Sequence, residues 1–265
     1  AESHVDRSID NPMTFMNTNI LGSYNLLEAA LSYYNNLTKE RAAVFRFIHI
    51  STDEVFGSLG IKDNAFNQST AYDPHSPYAA SKAASDHIVR AWFHTYGLPI
   101  IITNCSNNYG PFQFPEKFIP LMIINCLQEK KLPVYGNGTN IRDWLHVNDH
   151  CKALQIIGQE GTIGQTYMLG GNTERTNLEI VTHLCQILNE KIPRSIGKNY
   201  NDLIEYVSDR PGHDLRYAID TTQTATEIGW KPLTSLEDGL DATVQWYIKH
   251  QDWWQNILNA KYDGK

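Results

Sequence analysis

Tyr78 and Lys82 stand four residues apart in Ser76-Pro77-Tyr78-Ala79-Ala80-Ser81-Lys82, and Thr52-Asp53-Glu54 lies upstream, just after an apolar run. A tyrosine and a lysine at that spacing share one helical face. An ammonium beside a phenol favours the phenolate, so Lys82 is expected to lower the Tyr78 pKa and make it a base near neutral pH. The adjacent carboxyls add an acid and a base if their surroundings push their pKa values apart. Each part alone has a plainer reading. Tyr-x-x-x-Lys also marks an amphipathic surface helix, and Thr-Asp-Glu also caps one. The two together, each at the edge of a sheet, are far more specific.

The elements around them supply that edge. Residues 44–50 form an apolar run with strand character, and Ser51-Thr52-Asp53-Glu54 leaves its carboxyl end. Pro77 opens a helix whose apolar positions recur through Trp92, and Gly97 and Pro99 end it. Ile100-Ile101-Ile102-Thr103 reads as a second buried strand, followed by the polar loop 104–111. Strand, polar edge, helix, strand is the rhythm of a parallel sheet, which binds ligands at its carboxyl edge. Further helices are expected over 12–31, 146–157, 178–188 (capped by Asn177 or Thr176) and 236–248, with a strand over 165–169. Trp246, Tyr247, Trp253 and Trp254 read as core or covering aromatics.

The 265 residues suffice for one large or two modest domains. A formal net charge of −7 argues against nucleic acid as the main partner, so an anionic substrate would depend on local cations such as Lys117, Arg142 and Arg210. The four cysteines show no C-x-x-C pair and read as reduced thiols of a cytoplasmic protein. No stretch reads as a membrane span, and the ten histidines show no metal spacing, so no metal site is expected. No Gly-rich dinucleotide fingerprint occurs, and Gly136-Asn137-Gly138 reads as a turn.

These segments resemble the extended short-chain dehydrogenase/reductases, and within them the dTDP-glucose 4,6-dehydratases. The resemblance runs from Ala1-Glu2-Ser3-His4-Val5-Asp6-Arg7-Ser8 through Ser51-Thr52-Asp53-Glu54-Val55-Phe56-Gly57, with Phe56 where tyrosine is usual. It continues through the Tyr78 helix, Asn104–Pro111, Pro115-Glu116-Lys117, Arg142-Asp143-Trp144-Leu145-His146-Val147 and Asp209-Arg210-Pro211-Gly212-His213-Asp214. It implies an α/β fold: a Rossmann-like doubly wound parallel sheet with a smaller α/β substrate domain. The NAD-binding domain would comprise 1–110 and 140–170, and the nucleotide-sugar domain 111–139 and 171–265. The family carries its Gly-rich loop ahead of the segment matching Ala1, so the sheet is expected to show an unpaired edge and this chain alone to fold poorly and bind NAD weakly.

The resemblance further implies conversion of dTDP-glucose to its 4-keto-6-deoxy form. Tyr78 would take the C4 hydroxyl proton, with Lys82 lowering its pKa and holding the nicotinamide ribose. Glu54 would remove the C5 proton, protonated Asp53 would donate to the departing C6 oxygen, and Thr52 would orient the sugar. Ala1, Ser3, Thr18 and Asn108 would contact NAD, with Ser3 also near the sugar. Asn107, Lys117, Phe118, Arg142, Asn177, Arg210 and His213 would face the nucleotide-sugar, and Pro133, Val134 and Tyr135 the thymine. The helices 12–31 and 77–95 would pair across a two-fold axis into a four-helix bundle, giving a homodimer. An epimerase or decarboxylase of the same family keeps Tyr-x-x-x-Lys but needs no acid at Asp53. A non-catalytic NAD-sensing protein on this fold would need no acid/base set at all.

Overall fold

The computed structural model describes residues 1–260; the last five residues of the expected second domain lie outside them. The chain opens with helices α1 (Val5–Asp10) and α2 (Pro12–Phe15), separated at Asn11 because Pro12 restarts the helix. A π-helical segment, Met16–Leu21, leads into α3 (Gly22–Asn35) and then α4 (Lys39–Val44). Strand β1 (Phe47–Thr52) runs into a 3-10 turn over Asp53–Phe56, and α5 (Pro77–Tyr96) returns the chain to β2 (Ile100–Cys105) and β3 (Asn107–Tyr109). There follow α6 (Phe118–Leu127), β4 (Leu132–Tyr135), β5 (Ile141–His146), α7 (Val147–Glu160), β6 (Thr166–Leu169), β7 (Glu174–Thr176) and α8 (Asn177–Lys191). The chain closes with β8 (Ile204–Val207), α9 (Thr222–Ile228), α10 (Leu236–Lys249) and α11 (Gln251–Asn259).

The main sheet is parallel, in the order β1-β2-β6. Its central strand is buried on both faces, which explains the unbroken Ile100-Ile101-Ile102 run. Helices α3 and α5 cover one face, packing Leu27 and Val89 on Ile100 and Ile102. Helix α7 covers the other, packing Ala153 and Ile157 on Ile101 and Tyr167. Helices on both faces of a parallel sheet make the doubly wound fold expected from the sequence. Strand β1 stands at the edge and pairs only with β2 among the described residues. A second core joins α6, α8 and α10 under the strands β4 and β5, with Leu184, Leu240, Tyr247 and Trp254 at its centre.

Several local readings differ from expectation. The strand expected over 44–50 lies at Phe47–Thr52, because Thr38 caps a helix that runs to Val44 and the β2 register carries β1 on through Ser51 and Thr52. The helix expected over 12–31 is interrupted by its π-helical segment, where the wider turn brings Asn19 inward. Along it Leu27 is fully buried, whereas Leu21, Tyr24 and Leu26 are exposed. The cap of α8 is Thr176, in a reciprocal capping box with Glu179. Strand β5 joins β3 and β7 in a separate sheet. Tyr217, Ala218 and Ile219 pack against Val55 and Phe56, while Ile228 and Trp230 pack under the main sheet, so this stretch of 171–265 sits with the first core.

Candidate active site

Strand β1 ends in the residues that matter. Thr52 is still extended, and its Oγ1 accepts from the Glu54 amide at 3.3 Å, starting the 3-10 turn that presents Asp53 and Glu54. Gly57 closes the turn at φ 84°, where a side chain would meet the Asp73 carbonyl at 2.5 Å. Opposite, Ser76 caps α5 by accepting from the Ala79 amide at 3.0 Å, with Pro77 in the first turn and left-handed Gly97 at the end. This seats Tyr78 and Lys82 at the carboxyl edge of the sheet. The Tyr78 hydroxyl lies close enough to Thr52, Asp53 and Glu54 for all three to act on its titration, and its ring meets Phe15 edge-on at 6.3 Å. Phenol, threonine and the two carboxyls therefore form one cluster.

The electrostatics assign different states to its members. Asp53 is 2% exposed; burial, then the Glu54 and Asp143 charges, push its pKa well above the ordinary value. Its Oδ1 accepts from Thr52 Oγ1 at 3.2 Å, while Oδ2 is buried with no protein partner. Those features suit a carboxylic acid holding its proton. Burial raises Glu54 too, but Arg210, Arg142 and Lys117 oppose it. Tyr78 departs from expectation. Burial and the neighbouring Glu54 and Cys105 hold its phenol well above the usual value rather than below it. The reason is visible in Lys82, whose Nζ donates to the Ile50 carbonyl at 2.8 Å, and whose own pKa is lowered by burial.

Glu54 also lines an adjoining cavity of about 250 Å³. Of the residues expected to bind, Ser3, Asn107, Asn108, Lys117, Phe118, Pro133, Tyr135, Arg142, Asn177, Arg210 and His213 line it. Thr52, Asp53, Tyr78 and Lys82 are buried and lie outside that lining. Val134 does not belong with them. In strand β4 successive side chains point to opposite sides, so Pro133 and Tyr135 face the cavity while Val134 is buried in the second core. Ala1 and Thr18 are exposed and also lie outside the lining.

The cavity wall is heavily charged. Arg142 is 5% exposed, with its guanidinium 4.2 Å from the centre of the Tyr217 ring and hydrogen bonds to the Ile141 and Asp214 carbonyls. Arg210 pairs with Asp6 at 3.5 Å, and Asp6 also accepts from the Tyr135 hydroxyl at 2.9 Å. Lys117 donates to the Ser3 carbonyl, and burial lowers its pKa. His213 is tied to Asp209 at 2.6 Å. The Asn107 Oδ1 is buried without a protein partner. At the sheet edge, Lys82 uses one of its three hydrogens on Ile50, and the others suit the hydroxyls of a nicotinamide ribose. Asn108 is held by its donation to the Ser106 carbonyl at 3.0 Å and by His150 at 2.8 Å.

Sequence reasoning missed the residues that hold these groups in place. Asn19 bonds both the amide and the carbonyl of Glu2 and donates to Ser81 at 2.8 Å, fixing the segment before α1 against α5. Asn104 donates to the Thr52 carbonyl at 2.9 Å. His150 orients Asn108, and its pKa is lowered to about 4 by burial, so it is neutral.

Comparison with known proteins follows the same line. The family described as GDP-mannose 4,6 dehydratase matches residues 1–243. The chain is 55% identical to a dTDP-glucose 4,6-dehydratase of Neisseria meningitidis serogroup B, covering 99% of this chain and 74% of that one. It is 52% identical to the Escherichia coli enzyme of the same name, covering 100% and 76%. Among solved structures, DesIV, a dTDP-glucose 4,6-dehydratase from Streptomyces venezuelae with NAD bound, superposes with a TM-score of 0.85 at 42% identity, covering 97% of this chain and 74% of that one. The dTDP-glucose 4,6-dehydratase of Bacillus anthracis, in complex with NAD, gives a TM-score of 0.81 at 44% identity, covering 92% and 72%. A UDP-glucose 4-epimerase from Thermotoga maritima shares the fold at 24% identity with a TM-score of 0.82, covering 95% and 76%.

Proposed function

Because this chain belongs to the dTDP-glucose 4,6-dehydratases of the extended short-chain dehydrogenase/reductase family, we infer that its site carries out the NAD-dependent dehydration of dTDP-glucose to dTDP-4-keto-6-deoxyglucose. The observation that carries this reading is the setting of Asp53: a buried carboxyl, pushed toward its protonated form, beside a second carboxyl whose pKa burial raises too, against the opposing pull of Arg210, Arg142 and Lys117. Oxidation at C4 alone needs no such pair, whereas loss of water needs both an acid and a base.

A hexose C5 proton is not acidic until C4 is a ketone, and the C6 hydroxyl leaves only when it is β to that carbonyl. NAD, held by Lys82 and Asn108, would supply the acceptor for the C4 hydride and afterwards the hydride returned to C6. Tyr78 takes the C4 hydroxyl proton, with Thr52 beside it steadying the 4-oxygen. Burial holds the phenol well above its usual pKa, so it favours the neutral form of Tyr78 on either side of the proton transfer. Glu54 then removes the C5 proton, Asp53 gives its proton to the departing C6 oxygen, and the proton held by Glu54 goes back to C5 as the hydride is returned to C6. Lys82 and Asn108 hold the cofactor, with Ala1, Ser3 and Thr18 as further contacts. Arg142 and Arg210 take the diphosphate, with Asn107, Lys117, Phe118, Asn177 and His213 along the nucleotide-sugar, and Pro133 and Tyr135 against the thymine.

The Rossmann-type part comprises 1–110 and 140–170 together with the 217–230 stretch, and the remainder makes the nucleotide-sugar part. A homodimer forms through a four-helix bundle of α3 and α5 with their copies. Support comes from apolar side chains left open on the first helices, Met13 at 64%, Leu21 at 55% and Leu26 at 64% exposure. The protein works in the cytoplasm, in keeping with four free thiols. Incubation of the NAD-loaded enzyme with dTDP-glucose tests the reaction. A product with the strong alkaline absorbance of a 4-keto-6-deoxy sugar is expected; a C4 epimer without it overturns the reading.

A further inference from the structure

One buried carboxylate outside the reacting groups ties the catalytic pair to the sheet. Asp86 lies on α5 one turn beyond Lys82, so Tyr78, Lys82 and Asp86 follow one another along a single face. It is fully buried. Its Oδ1 meets His49 Nε2 at 2.9 Å, and its Oδ2 accepts from Ser51 Oγ and Tyr72 Oη, each at 2.8 Å, with Asn104 Nδ2 at 3.5 Å. Arg90 backs the tyrosine, donating to its oxygen at 3.1 Å. His49 and Ser51 flank Ile50 on β1, and the Ile50 carbonyl is where Lys82 is seated. Asn104 in turn donates to the carbonyl of Thr52, the residue beside the Tyr78 hydroxyl. A buried carboxylate with this many donors is held ionised, and its pKa lies below the ordinary value through bonds from His49, Ser51 and Tyr72.

We propose that Asp86 is a positioning residue of the dehydratase, clamping β1 and β2 onto α5 so that Lys82 and Tyr78 sit at their working height beside Thr52, with its charge supporting the Lys82 ammonium. The proposal rests on the reading of Tyr78 and Lys82 as the C4-oxidising pair. Tyr78 is faced by Glu54 and Asp53 from the turn after β1 and by Cys105 from β2. Lys82 is faced by Asp86 from its own helix and by Cys105 from β2; Asp86 is faced by His49 from β1 and by Tyr72, with Arg90 behind it. Cys105 is pushed up to about 12 by burial and is uncharged near neutral pH, which leaves Asp86 as the anion that supports Lys82.

The test isolates C4 oxidation. In the NAD-loaded Glu54→Gln enzyme, dTDP-glucose is oxidised but not dehydrated, and the rate of nicotinamide reduction is read by stopped-flow absorbance across pH. Adding Asp86→Asn is expected to slow that step on the order of 10- to 100-fold through misplacement of the pair. It should also move the alkaline limb of the rate about one pH unit lower, because Lys82 loses an opposite charge. An unchanged rate, or a slower rate with the limb unmoved, overturns the proposal. If Glu54→Gln alone shows no reduction, the oxidation reading fails instead. Should the Asp86→Asn protein not fold, Ser51→Ala with Tyr72→Phe removes two donors and keeps the charge. That variant must slow the step without moving the limb, and a normal rate there sinks the proposal.

Discussion

The catalytic corner and the nucleotide-sugar cavity share Glu54 but are built on opposite principles. Around Asp53 and Tyr78 the chain excludes water and provides few opposing charges, so burial decides protonation and both groups are driven toward their neutral forms. In the cavity, charged groups on the wall are paired: Arg210 with Asp6, and Glu116 with Arg7 just behind the lining. Those groups act by position. Chemistry is tuned where polar partners are scarce, and binding is tuned where they are abundant. Mutations in the two regions should therefore fail differently.

The largest effect is expected from Asp53→Asn. Turnover should fall by about 10²- to 10⁴-fold, the usual worth of a general acid, with KM for dTDP-glucose little changed. A defect confined to KM would erase the distinction between the regions. Next comes Arg210→Gln. Losing a charged fork on phosphate should raise KM by about 10- to 100-fold and leave kcat nearly intact; steady-state kinetics on both variants reads the split.

Stability sharpens the contrast. The folded pKa of Asp53 is raised, so its contribution is fully present below the unfolded pKa and is lost as pH rises through the folded value. Asp53→Asn should therefore melt higher than the parent in alkaline buffer, with the gain vanishing in acid, in keeping with stability given up for activity. A gain of equal size at both extremes would contradict the burial argument. The smallest effect is expected from Tyr135→Phe, which removes only the half-exposed bond to Asp6. KM should change by less than about fivefold.

The parts of the site legible in the sequence are those written over short spans. Ser76, Pro77, Tyr78, Lys82 and Gly97 all lie on one helix and its caps, and Thr52-Asp53-Glu54 is one strand end. The doubly wound sheet was legible for the same reason, since the Ile100 run and the flanking helix patterns are local. Other features required distances across the chain. The Asp86 cluster draws on positions 49, 51, 72 and 104, which no periodicity connects. Asn19 looks like one more polar residue on a helix until the π-helical segment turns it toward Glu2 and Ser81. Val134 was misplaced because three consecutive residues were given one role, which an alternating strand does not allow. The direction of the Tyr78 shift was missed because spacing places Lys82 on the same face but does not reveal that its ammonium turns to a backbone carbonyl.

The division of labour between the two carboxyls is open to one direct measurement. The NAD-loaded Glu54→Gln enzyme is mixed with dTDP-glucose in deuterated water, and nicotinamide reduction and deuterium at C5 are followed together. Reduction that persists, with no C5 exchange and no 4-keto-6-deoxy product, is the expected result. Deuterium at C5 with product released at the parent rate would show that another group takes the C5 proton and that the buried acid and its cation-flanked neighbour do not share the elimination.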